Sequence, residues 1–172
     1  AVDGISITVR EGETIGIVGE SGSGKTTLGL AILRLISSQG PIVYLGQRLD
    51  GLSSSAMRPL RRDLQVVFQD PFSSLNPRMR VKDVLAEPIR NFGLAKDARD
   101  LDERVAKLMD TVRLPRDAVG RWPHEFSGGQ RQRAMIAEAL ACDPGLLVAD
   151  EPTTALDVTV QAEVLDLMRN LK

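Results

Sequence analysis

The sequence has 172 residues, 42% of them hydrophobic and 26% charged, the makeup of one ordinary globular domain with enough chain to bury a core. Lys and Arg (22) nearly balance Asp and Glu (23), so the basic excess of a nucleic-acid-binding protein is missing and no nucleic-acid partner is expected. No apolar run approaches the roughly 18–20 residues needed to cross a bilayer, no signal-peptide pattern opens the chain, and the single cysteine, Cys142, fits a reducing compartment.

In chain order, Ile5, Ile7 and Val9 alternate with polar residues, which predicts a half-buried strand; Glu11-Gly12-Glu13 predicts a turn. Thr14–Val18 is a short apolar run that predicts a buried central strand. After a glycine-rich loop, Leu28, Ile32, Leu35 and Ile36 share one helical face, with Gly40-Pro41 as the stop. Ile42–Leu45, Gly46 and Gln47–Leu49 predict a small hairpin, and Gln65–Phe68 another buried strand that runs into Gln69. From Pro71 to about Pro123 the chain turns helical; Leu101, Val105, Leu108, Met109 and Val112 share a face. A helix is expected from about Gly128 to Ala141, then the strand Leu146–Ala149 and a last helix from about Asp157. The start without Met and the unstopped helix at Lys172 both suggest a domain whose outer segments are missing.

Gly19-Glu20-Ser21-Gly22-Ser23-Gly24-Lys25-Thr26 satisfies the phosphate-loop pattern G-x-x-x-x-G-K-[ST] between a strand and a helix. Its glycines let backbone N–H groups turn toward phosphate oxygens, Lys25 supplies charge to the β- and γ-phosphates, and the Thr26 hydroxyl suits Mg²⁺. The helix after the loop adds its positive end. ATP and Mg²⁺ are therefore the expected ligands. Asp150 and Glu151 stand at the C-terminal end of the Leu146–Ala149 strand, where open α/β sheets place their ligands; Asp150 is expected to hold Mg²⁺ and Glu151 to polarise the attacking water. A kinase, a GTPase or a motor would each fit this far.

Phe126-Ser127-Gly128-Gly129-Gln130-Arg131-Gln132-Arg133 resembles the signature sequence of ATP-binding-cassette (ABC) ATPases, with Phe126 where the family usually has Leu. Physically, Ser127 and Gln130 form a capping box at a helix start whose glycines expose backbone N–H groups. Gln69 resembles the family's Q-loop glutamine, and Ala155-Leu156-Asp157 its D-loop. The resemblance covers essentially the whole chain. It implies an α/β fold: a three-layer phosphate-loop core with a mostly parallel sheet, an antiparallel β edge subdomain and an inserted helical subdomain. Residues 1–70 and 127–172 would form the core with its β subdomain, and 71–126 the helical part, all within one nucleotide-binding domain truncated at both ends. It also implies that Glu151, Gln69 and Lys25 carry the reaction and that Thr26, Gln69 and Asp150 hold the metal. The loop residues with Thr27, and Ser127, Gly128, Gly129, Gln130 and Asp157, would bind nucleotide, the latter group across a head-to-tail dimer.

Gln69–Arg78 and Tyr44–Gly46 look like the oligopeptide/dipeptide branch, nearest to the second cassette of microcin C/peptide importer ATPases. That likeness implies an ATPase on the cytoplasmic face of the bacterial inner membrane. Its partners would be a second cassette, identical or not, transmembrane permease subunits contacted after Gln69, and indirectly an extracytoplasmic solute-binding protein. A DNA-maintenance or translation-factor ABC ATPase is the alternative; the insert lacks the sustained heptads of the DNA-repair members. The family's switch histidine is expected beyond Lys172 and its adenine-stacking aromatic upstream of residue 1. His124 reads as structural or surface-exposed, Cys142 as a small core residue, and Glu138 stands where relatives usually carry Arg.

Overall fold

The computed structural model describes residues 2–70, 74–154 and 156–169. They form two compact units divided between Leu60 and Arg61.

In the first unit, helix α1 (Lys25–Ile32) follows the glycine loop. A two-stranded antiparallel hairpin pairs β1 (Val43–Tyr44) with β2 (Gln47–Arg48). Its turn residues Leu45 (φ 46°) and Gly46 (φ 80°) are both left-handed, the geometry that matches the twist of the strands in a two-residue hairpin. Asp50 anchors the base of the hairpin: it accepts from the Ile42 N–H (3.0 Å) and pairs with Arg48 (2.5 Å), and these contacts hold its carboxyl down at about 2. A short helix, α2 (Ser54–Met57), is capped by the Ser53 hydroxyl, which accepts from the Ala56 N–H. Leu33, Leu49 and Met57 are the buried apolar side chains of this unit among the described residues.

Two expectations change here. The segments Ile5–Val9 and Thr14–Val18 make no ladder among the described residues, and Val18 is 96% exposed. A strand exists only with a neighbour to share its hydrogen bonds, and an apolar run supplies the side chains but not the neighbour. The turn between them does form, with the Glu13 N–H donating to the Arg10 carbonyl at 3.0 Å. The helix after the loop also ends early. Arg34 takes a left-handed φ of 55° and the Leu35 N–H donates to the Leu30 carbonyl (2.9 Å), a helix-terminating turn that leaves Leu35 and Ile36 exposed well before Gly40-Pro41.

The second unit holds the main core. Strands β3 (Leu64–Val67) and β4 (Leu146–Ala149) pair in parallel, Leu64 opposite Leu146 through Val67 opposite Ala149. A parallel pair needs a long crossover. Here it contains α3 (Val81–Asn91), α4 (Ala98–Thr111) and α5 (Gly128–Leu140), with α6 (Val158–Arg169) following β4. Leu101, Val105, Met109 and Val112 bury the predicted face of α4 against Val84, Leu85 and Ile89 of α3. Ala134, Met135, Ile136 and Ala137 of α5 share this core with Val67 of β3 and with Val164 and Leu167 of α6. Burying each large apolar side chain contributes about 1.5–3 kcal/mol, so this layer fixes where the ends of β3, β4 and α5 point. Cys142 is buried and free. His124 is exposed.

Candidate functional site

The glycine loop turns into α1 at Gly24, with no strand ladder before it among the described residues. The Ser23 N–H donates to the Glu20 carbonyl at 3.2 Å, and the Lys25 ammonium arches back to donate to the carbonyls of Gly19 (2.9 Å) and Glu20 (3.0 Å). Its charge is thus held over the loop rather than extended into solvent. Gly24 is the N-cap of α1 with φ 97°, and a Cβ there would fall 2.6 Å from Val2 Cγ2. Only glycine meets both conditions. Gly24 at the N-cap has no side chain to cap α1, and Thr26 and Thr27 lie exposed on its first turn.

In the second unit, the ends of two adjacent strands bring Gln69 and Glu151 together across 82 residues of sequence: Gln69 Nε2 donates to Glu151 Oε2 at 3.3 Å. The parallel ladder dictates this meeting. Val67 and Ala149 are register partners, and the Asp150 N–H donates to the Val67 carbonyl (2.9 Å), so each chain leaves the sheet at the same level. Glu151 takes φ 44°, a left-handed conformation that costs an L-residue roughly 1–2 kcal/mol. Thr154 stabilises it twice, its N–H donating to the Glu151 carbonyl and its hydroxyl to Glu151 Oε2, both at 3.3 Å. The sequence does not announce this bent residue or Thr154's part in it; an acidic pair followed by Pro152 and two threonines was the available hint.

The start of α5 is capped as predicted. Ser127 Oγ accepts from the Gln130 N–H (3.3 Å) while Gln130 Oε1 accepts from the Ser127 N–H (3.0 Å). Arg131 ties the preceding segment down by donating to the carbonyls of Pro123 (2.7 Å) and His124 (3.2 Å). Asp157 caps α6, its Oδ1 accepting from the Val160 N–H at 3.0 Å. Ala155, Pro71, Phe72 and Ser73, which the sequence placed in the D-loop and after Gln69, lie outside the described residues, as does Lys172. The structure thus forms the loop Gly19–Thr26 in the first unit, and in the second it brings Gln69 to Glu151 beside Asp150 and, separately, caps the start of α5.

Two further polar residues of α5 were not assigned roles by the sequence. Gln132 is 1% exposed, and its side-chain nitrogen has no partner among the described residues. Glu138 is half-buried near Glu87 of α3, and burial, with the neighbouring carboxylate second, pushes its carboxyl up to about 7.

The family model described as ABC transporter matches residues 2–154. The chain belongs to the ABC transporter family. Over 172 residues it is 54% identical to a protein of Agrobacterium fabrum named peptidoglycan transport ATP-binding protein YejF, covering 100% of this chain and 32% of that protein. It is 50% identical over 175 residues to the dipeptide transport ATP-binding protein DppF of Lactococcus lactis, covering 100% of this chain and 56% of the relative. This ABC chain therefore spans between about a third and just over half of the length of these relatives. Among solved structures, a dimeric ATP-binding cassette in a post-hydrolysis state, bound to ADP and Pi, superposes with a TM-score of 0.85 at 29% identity, over 96% of this chain and 72% of that one. The fold is the mixed α/β phosphate-loop architecture of ABC ATPases.

Proposed function

We propose that this chain is the nucleotide-binding part of an ABC importer ATPase, which hydrolyses ATP to ADP and phosphate to drive uptake of peptides or peptide-like solutes. The observation that carries the reading is the pairing of Gln69 with Glu151 at the C-terminal ends of adjacent parallel strands, in a chain whose sequence also carries a complete phosphate-loop pattern. Relatives named for peptidoglycan, dipeptide and oligopeptide transport support the cargo class.

The assigned roles follow from the chemistry of each group. The loop N–H groups and Lys25 bind and orient the β- and γ-phosphates. Asp150 and Gln69 in the second unit offer a carboxylate and an amide oxygen, and Thr26 in the first offers a hydroxyl; each is a hard donor of the kind that suits Mg²⁺, which would offset charge on the phosphates. Glu151 Oε2 already accepts hydrogen bonds from Gln69 and Thr154, so a carboxylate is held ready to accept a proton from water. The capped start of α5, with Ser127, Gly128, Gly129 and Gln130, offers a second anion site, which we assign to the γ-phosphate held by a second cassette, with Asp157 at the same interface. The working unit is a head-to-tail pair on the cytoplasmic face of the membrane, docked to permease subunits through the segment after Gln69 and fed by an extracytoplasmic solute-binding protein.

Uptake by vesicles carrying the full-length ATPase with its permease tests this directly. Glu151→Gln should lower ATP-driven uptake by about a hundredfold or more, the range that removal of a general base produces. Uptake at the unmutated rate would sink the role assigned to Glu151.

A further inference from the structure

The start of α5 and the start of α6 approach more closely than side chains normally allow. A Cβ built on Gly129 would stand 2.5 Å from Val160 Cγ1 and 3.6 Å from both Val160 Cβ and Cγ2; one on Gly128 would stand 3.8 Å from Leu156 Cδ2. The first distance is an overlap, the others ordinary contact. Val160 cannot cheaply swing aside, because a β-branched side chain in a helix has essentially one favoured rotamer. Gly129 therefore forms a slot that seats Val160.

What Val160 belongs to gives the slot its meaning. Val160 lies in the first turn of α6, with its N–H on Asp157 Oδ1. The next residue, Gln161, donates through its N–H to the Asp157 carbonyl (2.8 Å) and through Nε2 to the Thr153 carbonyl (2.8 Å). Thr153 adjoins Thr154, which holds Glu151 by backbone and hydroxyl, and Glu151 accepts from Gln69. One helical turn further on, Arg133 of α5 pairs with Glu163 of α6, and Val164 and Leu167 are buried beneath them. The start of α5 and the turn that presents Glu151 are thereby tied within one chain.

We infer that Gly129 is a positioning residue for Glu151: its missing side chain seats Val160, and this seat sets the first turn of α6 and the bent turn before it that aims the carboxylate. This rests on the hydrolytic reading above. It concerns contacts inside one chain and is independent of whatever the start of α5 binds across a dimer.

The test is a double-mutant cycle in the full-length protein with Gly129→Ala, Val160→Ala and the pair, reading kcat and KM for ATP together with the melting midpoint. Gly129→Ala should lower kcat by about tenfold to a hundredfold, the penalty for misplacing a reacting group by about an ångström, with a smaller change in KM. Val160→Ala in the same chain removes Cγ1 and Cγ2 and leaves the 3.6 Å contact to Cβ, so the pair should recover kcat to near that of Val160→Ala alone. If Gly129→Ala fails to fold, a folded and active pair carries the same support. A pair as inactive as Gly129→Ala overturns the inference, because Gly129 would then act through a contact outside this chain. Unmutated kcat in Gly129→Ala overturns it as well, and so does recovery of the melting midpoint without recovery of kcat. Absence of ATP turnover in the unmutated protein overturns the hydrolytic reading instead; the seat itself would still be read from a midpoint that falls in Gly129→Ala and recovers in the pair.

Discussion

The two units of this chain carry their functional residues in opposite ways. The first presents the phosphate loop mainly through local geometry: a left-handed Gly24 and a lysine folded onto the carbonyls of Gly19 and Glu20. Only Leu33, Leu49 and Met57 are buried apolar side chains around it among the described residues, while Ile5, Ile7, Val9, Ile15, Ile17 and Val18 are exposed. The second presents Gln69, Glu151 and Ser127 through tertiary structure, from strand ends and helix starts fixed by a continuous core. Eight consecutive residues suffice to make an anion cradle, whereas a glutamine and a glutamate 82 positions apart meet only because a sheet and four helices hold them there.

That contrast can be broken by stability measurements. Ile136 is fully buried at the centre of α5, so Ile136→Ala should cost about 2–5 kcal/mol in chemical denaturation. Val18→Ala, at a side chain 96% exposed, should stay within about 0.5 kcal/mol. Equal costs at the two positions would mean that the first unit is built on a core as the second is.

A pH series sharpens the same point within the second unit. Glu138 has its carboxyl raised by burial and by Glu87 from its usual 4.5 to about 7, so the folded chain binds a proton there that the unfolded chain releases. A raised value means that its stability contribution is full below about 4.5 and is lost as pH climbs through 7. The shift corresponds to roughly 3 kcal/mol lost by pH 8. Glu138→Gln should abolish most of that slope and be the more stable protein at pH 8; an unchanged slope would locate the pH dependence elsewhere.

The sequence made the motifs legible where one local rule decides the structure. The Ser127/Gln130 capping box, the α4 face and the β4 strand all form at the residues expected, because each follows from local pattern or from a cap. It was less legible where a neighbour decides. The alternation at Ile5–Val9 and the apolar run at Thr14–Val18 say which side chains suit a strand, but a ladder also needs a partner, and none forms among the described residues. Leu35 and Ile36 continue a helical pattern that the left-handed Arg34 cuts short, a turn usually signalled by glycine and here made by arginine. Glu151 was identified as a carboxylate, yet its left-handed backbone and its support from Thr154 arise from tertiary geometry. The fit of Val160 into Gly129 is of the same kind: a glycine in a signature reads as backbone exposed for a ligand, and only packing reveals that it is also a slot.

In the proposed function the loop binds the nucleotide and Glu151 acts on it afterwards. A single-turnover experiment on the full-length protein, following bound γ-labelled ATP and released phosphate in the same samples, separates the two steps. Glu151→Gln should retain ATP and release phosphate about a hundredfold or more slowly, whereas Lys25→Ala should neither hold ATP well nor hydrolyse it. Glu151→Gln that holds ATP no better than Lys25→Ala, or that releases phosphate at the unmutated rate, would contradict the division of labour between the two units.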